Sequence, residues 1–326
     1  MSRFQFVGGV LIAIFCPVLG WAQAPASPTA HADARQLIFT YGAVVMGLRP
    51  GQVARIWAPT PTTQPGQDVQ TIRRDLPDGL QIATEPRYGN SMLYFAARAT
   101  AEGTARFSVS YRVTRYALAG VADANEGPKF LAPDKLVPTG GKTLQLLAGK
   151  TIPADPLAAA RFIYDAVDDH MQYRKDKPGW GRGDAEWACQ SGFGNCTDFH
   201  SLFIALTRSR NIAGKFQIGF ALPERRGKGE IKGYHCWAFF QARDHNWIPV
   251  DISEANLNPA KRDYLFGHID ENRVAFTVGR DIDLVPRQAG PPLNFFIYPY
   301  VEVDGAPYPA DKIERHFAYE DIAANQ

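Results

Sequence analysis

The chain has 326 residues, more than one ordinary domain of roughly 100–200 residues, so two domains are expected. Hydrophobic residues at 45% against 21% charged exclude wholesale disorder. A formal charge of +2 gives no footing for nucleic acid, which needs a concentrated basic stripe.

Residues 1–24 read as a secretory signal peptide. Arg3 supplies the positive start, residues 4–19 are nearly all apolar or small, and Gly20, Ala22 and Ala24 form a small-residue exit. The apolar run is short and broken by Gly8, Gly9 and Pro17, so no stable membrane span is expected after signal removal. The expected location is therefore secreted or periplasmic, with 25–35 as a disordered lead-in. Cys16 leaves with the signal, and Cys189, Cys196 and Cys236 remain. An odd number in an oxidising compartment suggests one free reactive thiol, with Cys189 and Cys236 as a possible disulfide or as two buried thiols.

Residues 36–118 read as a β-sandwich domain. Short strand-like runs such as Val69–Ile72 and Phe107–Val113 alternate, and Arg49-Pro50-Gly51, Gln64-Pro65-Gly66 and Pro77-Asp78-Gly79 punctuate them. A Gly- and Pro-rich linker is expected over 119–153. Asp155-Pro156 then opens a helix, with Asp as N-cap and Pro in the first turn. Leu157, Ala160, Tyr164, Val167 and Met171 follow at helical spacing and are expected to face inward.

The chemistry concentrates in Gly192-Phe193-Gly194-Asn195-Cys196-Thr197-Asp198-Phe199. Asn195 suits an N-cap, with Asp198 three residues on as a capping-box partner. Phe199, Leu202, Phe203 and Leu206 recur at i, i+3, i+4 and i+7, so Cys196 is expected in the first turn of a buried amphipathic helix. Unpaired N–H groups and the helix dipole favour a thiolate there. The glycines permit an unusual backbone before it.

A cysteine nucleophile needs a base. His235 starts a strand-like run, Tyr234-His235-Cys236-Trp237-Ala238-Phe239-Phe240, and Trp247-Ile248-Pro249-Val250-Asp251 returns after a turn at 243–246. If Gln241 faces Trp247, His235 opposes Ser253 and Asp251 lies one diagonal step away on the same face. Asp251 then orients the imidazole, the third role of a triad.

Gly194-x-Cys196, Tyr234-His235-Cys236-Trp237 and Trp247-Ile248-Pro249-Val250-Asp251, in this order, resemble the core of the transglutaminase-like superfamily over roughly residues 155–255. The resemblance implies an α+β chain: the N-terminal β-sandwich followed by a papain-like core, residues 154–326, in which a Cys-bearing helix packs on an antiparallel sheet. It implies catalytic roles for Cys196, His235 and Asp251 and needs no cofactor. Thr197 stands where the animal enzymes carry tryptophan, and no acidic loop resembles their calcium sites. The exported bacterial branch, with proteases and amidases among its members, is the nearer likeness. The expected reaction is attack by Cys196 on an amide or ester carbonyl of a peptide, protein or peptidoglycan-derived substrate, through a thioester acyl-enzyme. The rival reading is a non-catalytic binding protein or scaffold that recognises its partner with the sandwich.

Further candidates are weaker. Gln190 and Trp187, or the backbone N–H of Cys196, could hold an oxyanion. Trp180, Tyr234 and Trp237 are aromatic candidates for substrate contact. The basic, glycine-rich stretch 223–233 reads as a solvated loop or a lid. No metal is expected. Six residues separate Cys189 from Cys196, wider than a zinc pair, and adjacent His235 and Cys236 should project to opposite faces of a strand.

Overall fold

The computed structural model describes Met1 and residues 34–122, 127–242 and 246–323. The expected signal peptide, most of the lead-in and the turn residues 243–245 lie outside the described residues. In chain order the elements are β1 (Ala34–Val45), β2 (Val53–Pro59), β3 (Gln67–Asp75), β4 (Gln81–Thr84), β5 (Ser91–Arg98), β6 (Ala105–Tyr116) and β7 (Val121–Ala122). Next come α1 (Pro156–His170), β8 (Gln172–Tyr173), α2 (Ala185–Ser191), β9 (Phe193–Gly194) and α3 (Cys196–Ser209). The remainder is β10 (Gly214–Ala221), β11 (Lys228–Glu230), β12 (His235–Gln241), β13 (Asn246–Val250), α4 (Ile252–Leu257), β14 (Arg273–Val278), β15 (Tyr300–Val303), β16 (Ala306–Pro307) and β17 (Ile313–Asp321).

Alternating apolar residues make the long strands two-faced. On β1 the odd-numbered Leu37, Phe39, Tyr41, Ala43 and Val45 are all buried, as are Phe107, Val109, Tyr111 and Val113 of β6. One sheet runs β11-β17-β1-β6-β3 and a second β16-β15-β2-β5-β4. Phe95 of β5 meets Phe107 of β6 edge-on at 5.1 Å, so the two sheets share a core. The third sheet, β14-β10-β12-β13-β7, carries the helices, and α3 packs on β12 and β10.

The structure draws the domain boundaries differently from the sequence. Phe39 of β1 also packs on Phe220 of β10 and Phe276 of β14, at ring separations of 5.1 and 5.5 Å, so the inner face of β1 serves both the sandwich and the core sheet. β15 pairs with β2, and β17 pairs with β1. The last strands therefore complete the sandwich rather than the catalytic core. Residues expected as linker close the core sheet: β7 pairs with β13, and Phe130 is buried between Tyr88 and Trp247. Arg35, placed in the lead-in by sequence, is buried in β1 with its guanidinium on both carboxylate oxygens of Asp321. The described residues from 34 onward form one compact unit.

One local expectation also changes. Leu157 is exposed, although Ala160, Tyr164, Val167 and Met171 are buried as the helical spacing requires. The run Phe295–Tyr298 is not a strand. It threads under the sandwich, with the Ile297 carbonyl accepting from Tyr41 Oη at 2.9 Å. Among the described residues no helix is long and apolar enough to cross a membrane.

Candidate active site

Cys196 is the first residue of α3, as the sequence spacing predicts. Asn195 caps the helix: its Oδ1 accepts from the Thr197 N–H at 3.0 Å, while Asp198 Oδ2 accepts from the Asn195 N–H at 2.9 Å. Asp198 also accepts from the N–H groups of Gly181 and Gly183, which ties the 179–183 loop to the helix start. The two glycines of the motif have separate tasks. Gly192 ends α2 at φ +67°, a left-handed cap. Gly194 makes room, since a Cβ there would stand 2.5 Å from Asp198 Oδ2. Gly194→Ala is therefore expected to displace the Asp198 carboxylate, weaken the cap by about 1 kcal/mol and slow thiol alkylation of Cys196. Urea denaturation and an alkylation rate would check both effects.

The β12–β13 hairpin has the register in which Gln241 faces Trp247. β13 ends at Val250, and Asp251 turns out of the sheet to cap α4. Its two oxygens do two jobs. Oδ1 accepts from the Glu254 N–H and the Ser253 hydroxyl, both at 3.0 Å. Oδ2 lies 2.6 Å from His235 Nε2 and accepts from Arg273 Nη1 at 2.9 Å. The carboxylate thus caps α4 with one oxygen and holds the imidazole with the other. Because Nε2 is engaged with Asp251, Nδ1 is the ring nitrogen left to serve the Cys196 sulfur.

The electrostatics follow from this geometry. Burial pushes the Cys196 thiol up, but hydrogen bonds from Cys236 and His235 and the imidazolium charge outweigh it, and the thiol sits well below its ordinary value. Burial works against a charged His235, yet the Asp251 charge and the bonds to Asp251 and Cys196 raise it to about 10. Burial likewise opposes ionisation of Asp251, and His235 and Arg273 overcome it, holding the carboxyl well below its usual range. The favoured state is a thiolate–imidazolium pair backed by a carboxylate.

Residues 146–252 form a transglutaminase-like core. That span matches the family described as the transglutaminase-like superfamily, and it contains Cys196, His235 and Asp251. An uncharacterised protein of Haemophilus influenzae is 32% identical over 185 residues, 47% of this chain and 50% of that protein. The chain thus spans half the length of this curated relative. A solved structure from Cytophaga hutchinsonii, described as a candidate cysteine protease, is 15% identical over 88% of this chain and all of its own, with a TM-score of 0.47. Another from Parabacteroides distasonis, described as a candidate protease, is 11% identical over 70% of this chain and 47% of its own, with a TM-score of 0.27.

Around the transglutaminase-like core other sequence candidates fall in different places. Cys189 and Cys236 are both free thiols, not a disulfide. Cys189, on α2, lies 3.6 Å from the carbonyl oxygens of Lys142 and Thr143. Cys236 belongs to the β12 face that packs on α3, together with Phe240 against Phe203. Adjacent residues do project to opposite faces, but the face of Cys236 is the one covered by α3, where its sulfur lies 3.6 Å from His200 Nδ1 and 3.9 Å from Thr197 Oγ1. Trp237 is corrected as well: it is fully buried, its Nε1 donates to Gln217 at 2.7 Å and Arg273 lies over its ring, so it supports the site from behind. Tyr234 is half-buried, its hydroxyl held by Thr197 Oγ1 at 2.8 Å and Asn195 Nδ2 at 3.1 Å. Trp180 is exposed beside Lys175.

Of the oxyanion candidates, Gln190 is exposed on α2, and Trp187 packs edge-on against Phe193 and closely over Gly179. The Cys196 N–H occupies the first helical position, where no carbonyl of the same helix can take it. The stretch 223–233 is anchored, with β11 paired to β17 and the Gly227 N–H donating to Asp321. A cleft of about 210 Å³ opens beside His235, lined by Tyr173, Leu222, Glu224, Glu254, Asn272 and Arg273 among others. Cys196 itself is only 2% exposed.

Sequence reasoning missed Arg273, His200 and the position of Cys236. Arg273 joins Asp251, Glu254 and Asp270 from β14. His200 sits four residues beyond Cys196, a helical spacing that does signal a shared face. His235, Asp251 and Glu254 each bring one possible metal-ligand atom within 4.8 Å of the others. The Arg273 guanidinium already occupies Asp251 Oδ2 and Glu254 Oε2, so a cation there would stand against a fixed positive charge.

Proposed function

We propose that this protein is an exported cysteine hydrolase or acyltransferase that acts on amide bonds. The observation that supports it most is the Cys196–His235–Asp251 chain, closed on its far side by buried Arg273. Cys196 adds as a thiolate to the carbonyl. His235, protonated, gives its proton to the leaving amine, and a thioester remains on sulfur. Water, or a second amine, then attacks the thioester with His235 as base. Asp251 keeps the ring oriented and stabilises its charge, and the Cys196 N–H is the nearest backbone donor for the oxyanion. The substrate class is a peptide, protein or peptidoglycan-derived amide in a secreted or periplasmic setting. Because Cys196 is buried, entry of a substrate from the His235 cleft must uncover the sulfur.

A pH profile follows. Turnover should rise as pH climbs through the depressed Cys196 value, hold across neutral pH, and fall as His235 deprotonates near pH 10. His235 is raised, so the stability it contributes is full below its ordinary 6.5 and is lost as pH rises toward about 10. Mass spectrometry of products from a peptide library, with and without an added amine, tests the reaction and separates hydrolysis from transfer. Cleavage or amine exchange that is lost in Cys196→Ala is expected; products unchanged by that substitution would leave the scaffold reading, which the buried sulfur favours.

A further inference from the structure

We propose that the open edge of β17 is the groove for the substrate chain: an extended L-peptide continues the line of β11, pairs with Arg315 and Phe317, and sets a carboxylate on the Arg315 guanidinium. The inference rests on the cysteine-enzyme reading above and names the substrate class of that site.

The ladder between β11 and β17 stops one rung short. In an antiparallel pair the N–H and C=O of one residue point to the same neighbour, and alternate residues point to opposite neighbours. Ile322, just past β17, donates its N–H to the Gln36 carbonyl, so even-numbered residues serve β1. The odd-numbered ones face the other way. The Asp321 N–H donates to the Gly227 carbonyl at 2.8 Å, Tyr319 stands opposite Gly229, and the Phe317 carbonyl accepts from the Ile231 N–H at 2.8 Å. Arg315 is the next rung, but β11 has ended at Glu230 and the chain goes on through Gly233 to His235. Among the described residues none takes the Arg315 N–H or carbonyl, or the Phe317 N–H. The edge closes again at Ile313, whose N–H donates to the Ala310 carbonyl. A cleft of about 360 Å³ lies along the open rung, lined by Ile231, Lys232, Tyr298, Arg315 and Phe317 among others. It shares no lining residue with the cleft beside His235. An unpaired sheet edge takes an extended chain by strand addition.

Charge and position say what that chain carries and where it leads. The Arg315 guanidinium lies over the Tyr298 ring, with Cζ 3.9 Å from its centre. Stacking uses the face of a guanidinium and leaves its N–H edge for an acceptor. Arg315 Nε is buried with no hydrogen-bond partner, and the adjacent Glu314 turns to His316, at 3.6 Å. Lys232 and Arg315 stand against Glu230 in the cleft wall, which favours an anion. The inner end of the cleft reaches the helix of the nucleophile. Tyr298 meets Tyr234 at 5.8 Å between ring centres, and Tyr234 Oη is held by Thr197 and Asn195, the residues on either side of Cys196. A chain on this edge therefore runs toward the first turn of α3.

The test is an NMR titration of the full chain carrying Cys196→Ala, which leaves a bound peptide intact, with the blocked all-L pentapeptide Ala-Val-Glu-Val-Ala as probe. The amide resonances of Arg315 and Phe317 should shift, and those of β4, the edge of the other sandwich sheet, should not. Glutamine for glutamate in the peptide, or Arg315→Gln in the protein, should weaken binding about tenfold. The two changes together should cost little more than either alone, because each removes the same pair. The peptide change decides the matter if Arg315→Gln does not fold. The mirror-image all-D peptide carries the same charge and should not bind. No shift at either amide with millimolar peptide, or equal binding of both enantiomers or of the glutamate and glutamine peptides, overturns the proposal. So does a dimer in which both amides are already shielded before peptide is added, since the edge then belongs to a second copy. Wild-type protein that binds the peptide as described, yet cleaves or acylates nothing in a peptide library, overturns the enzyme reading and leaves the groove standing.

Discussion

Cys196→Ala is expected to abolish amide cleavage, with a loss on the order of 10⁵–10⁶-fold in kcat, the scale seen when an acyl-transfer nucleophile is removed. The fold should survive. Cys196 is a first-turn residue whose backbone, not its side chain, joins the cap, and Asn195 and Asp198 hold the helix start without it. Cys189→Ala should leave kcat nearly unchanged, because that thiol faces the Lys142 and Thr143 carbonyls and its value is raised by burial. A thiol-reactive acyl probe gives the same contrast: labelling is lost in the first variant and retained in the second. Equal, slow labelling of both thiols would remove the nucleophile assignment.

Asp251→Asn is expected to lower kcat by about 10⁴-fold, as when a triad carboxylate becomes an amide, and also to destabilise the protein. All four partners of this carboxylate are donors: His235 Nε2 and Arg273 on Oδ2, the Glu254 N–H and the Ser253 hydroxyl on Oδ1. Either orientation of an amide sets its NH₂ against two of them. If it faces His235, the ring must shift its hydrogen to Nδ1 and can no longer accept from the nucleophile. Arg273, itself 2% exposed, loses one of its two carboxylates at 2.9 Å and keeps Glu254 and the longer contact to Asp270. Breaking one side of a buried ion pair costs about 3–5 kcal/mol. Urea unfolding and steady-state kinetics on the same preparation measure both losses; a variant as stable as wild type, with kcat within tenfold, would contradict the assigned role of Asp251.

The site was legible in the sequence where local chemistry dictates geometry. Asn195 and Asp198 could be read as a capping box because the two interactions span three residues, and Cys196 followed at the helix start. Parity left the hairpin register conditional; Gln241 does face Trp247, but Asp251 reaches His235 by leaving the strand to cap α4, not as a diagonal neighbour within it. Contacts between elements distant in sequence were not legible. Nothing in the spacing of Arg273 on β14 reveals that it lies behind Asp251, and Cys236 was placed away from the nucleophile because its face of β12 is defined only once α3 covers it. The domain boundary failed for a similar reason. The strand run of β1 is plain in sequence, but its buried face is shared between two sheets, and the strands that complete the sandwich come from residues 300–321.

The central claim is that an imidazole fixed by Asp251 keeps the Cys196 sulfur ionised at neutral pH and below. Thiolate absorbance near 240 nm, taken as wild type minus Cys196→Ala and followed from acid to alkaline pH, reads that directly and needs no substrate. The account predicts a signal already present well below pH 8, which His235→Gln shifts upward. A signal that appears only near the ordinary value of 9, and is indifferent to His235→Gln, would contradict it.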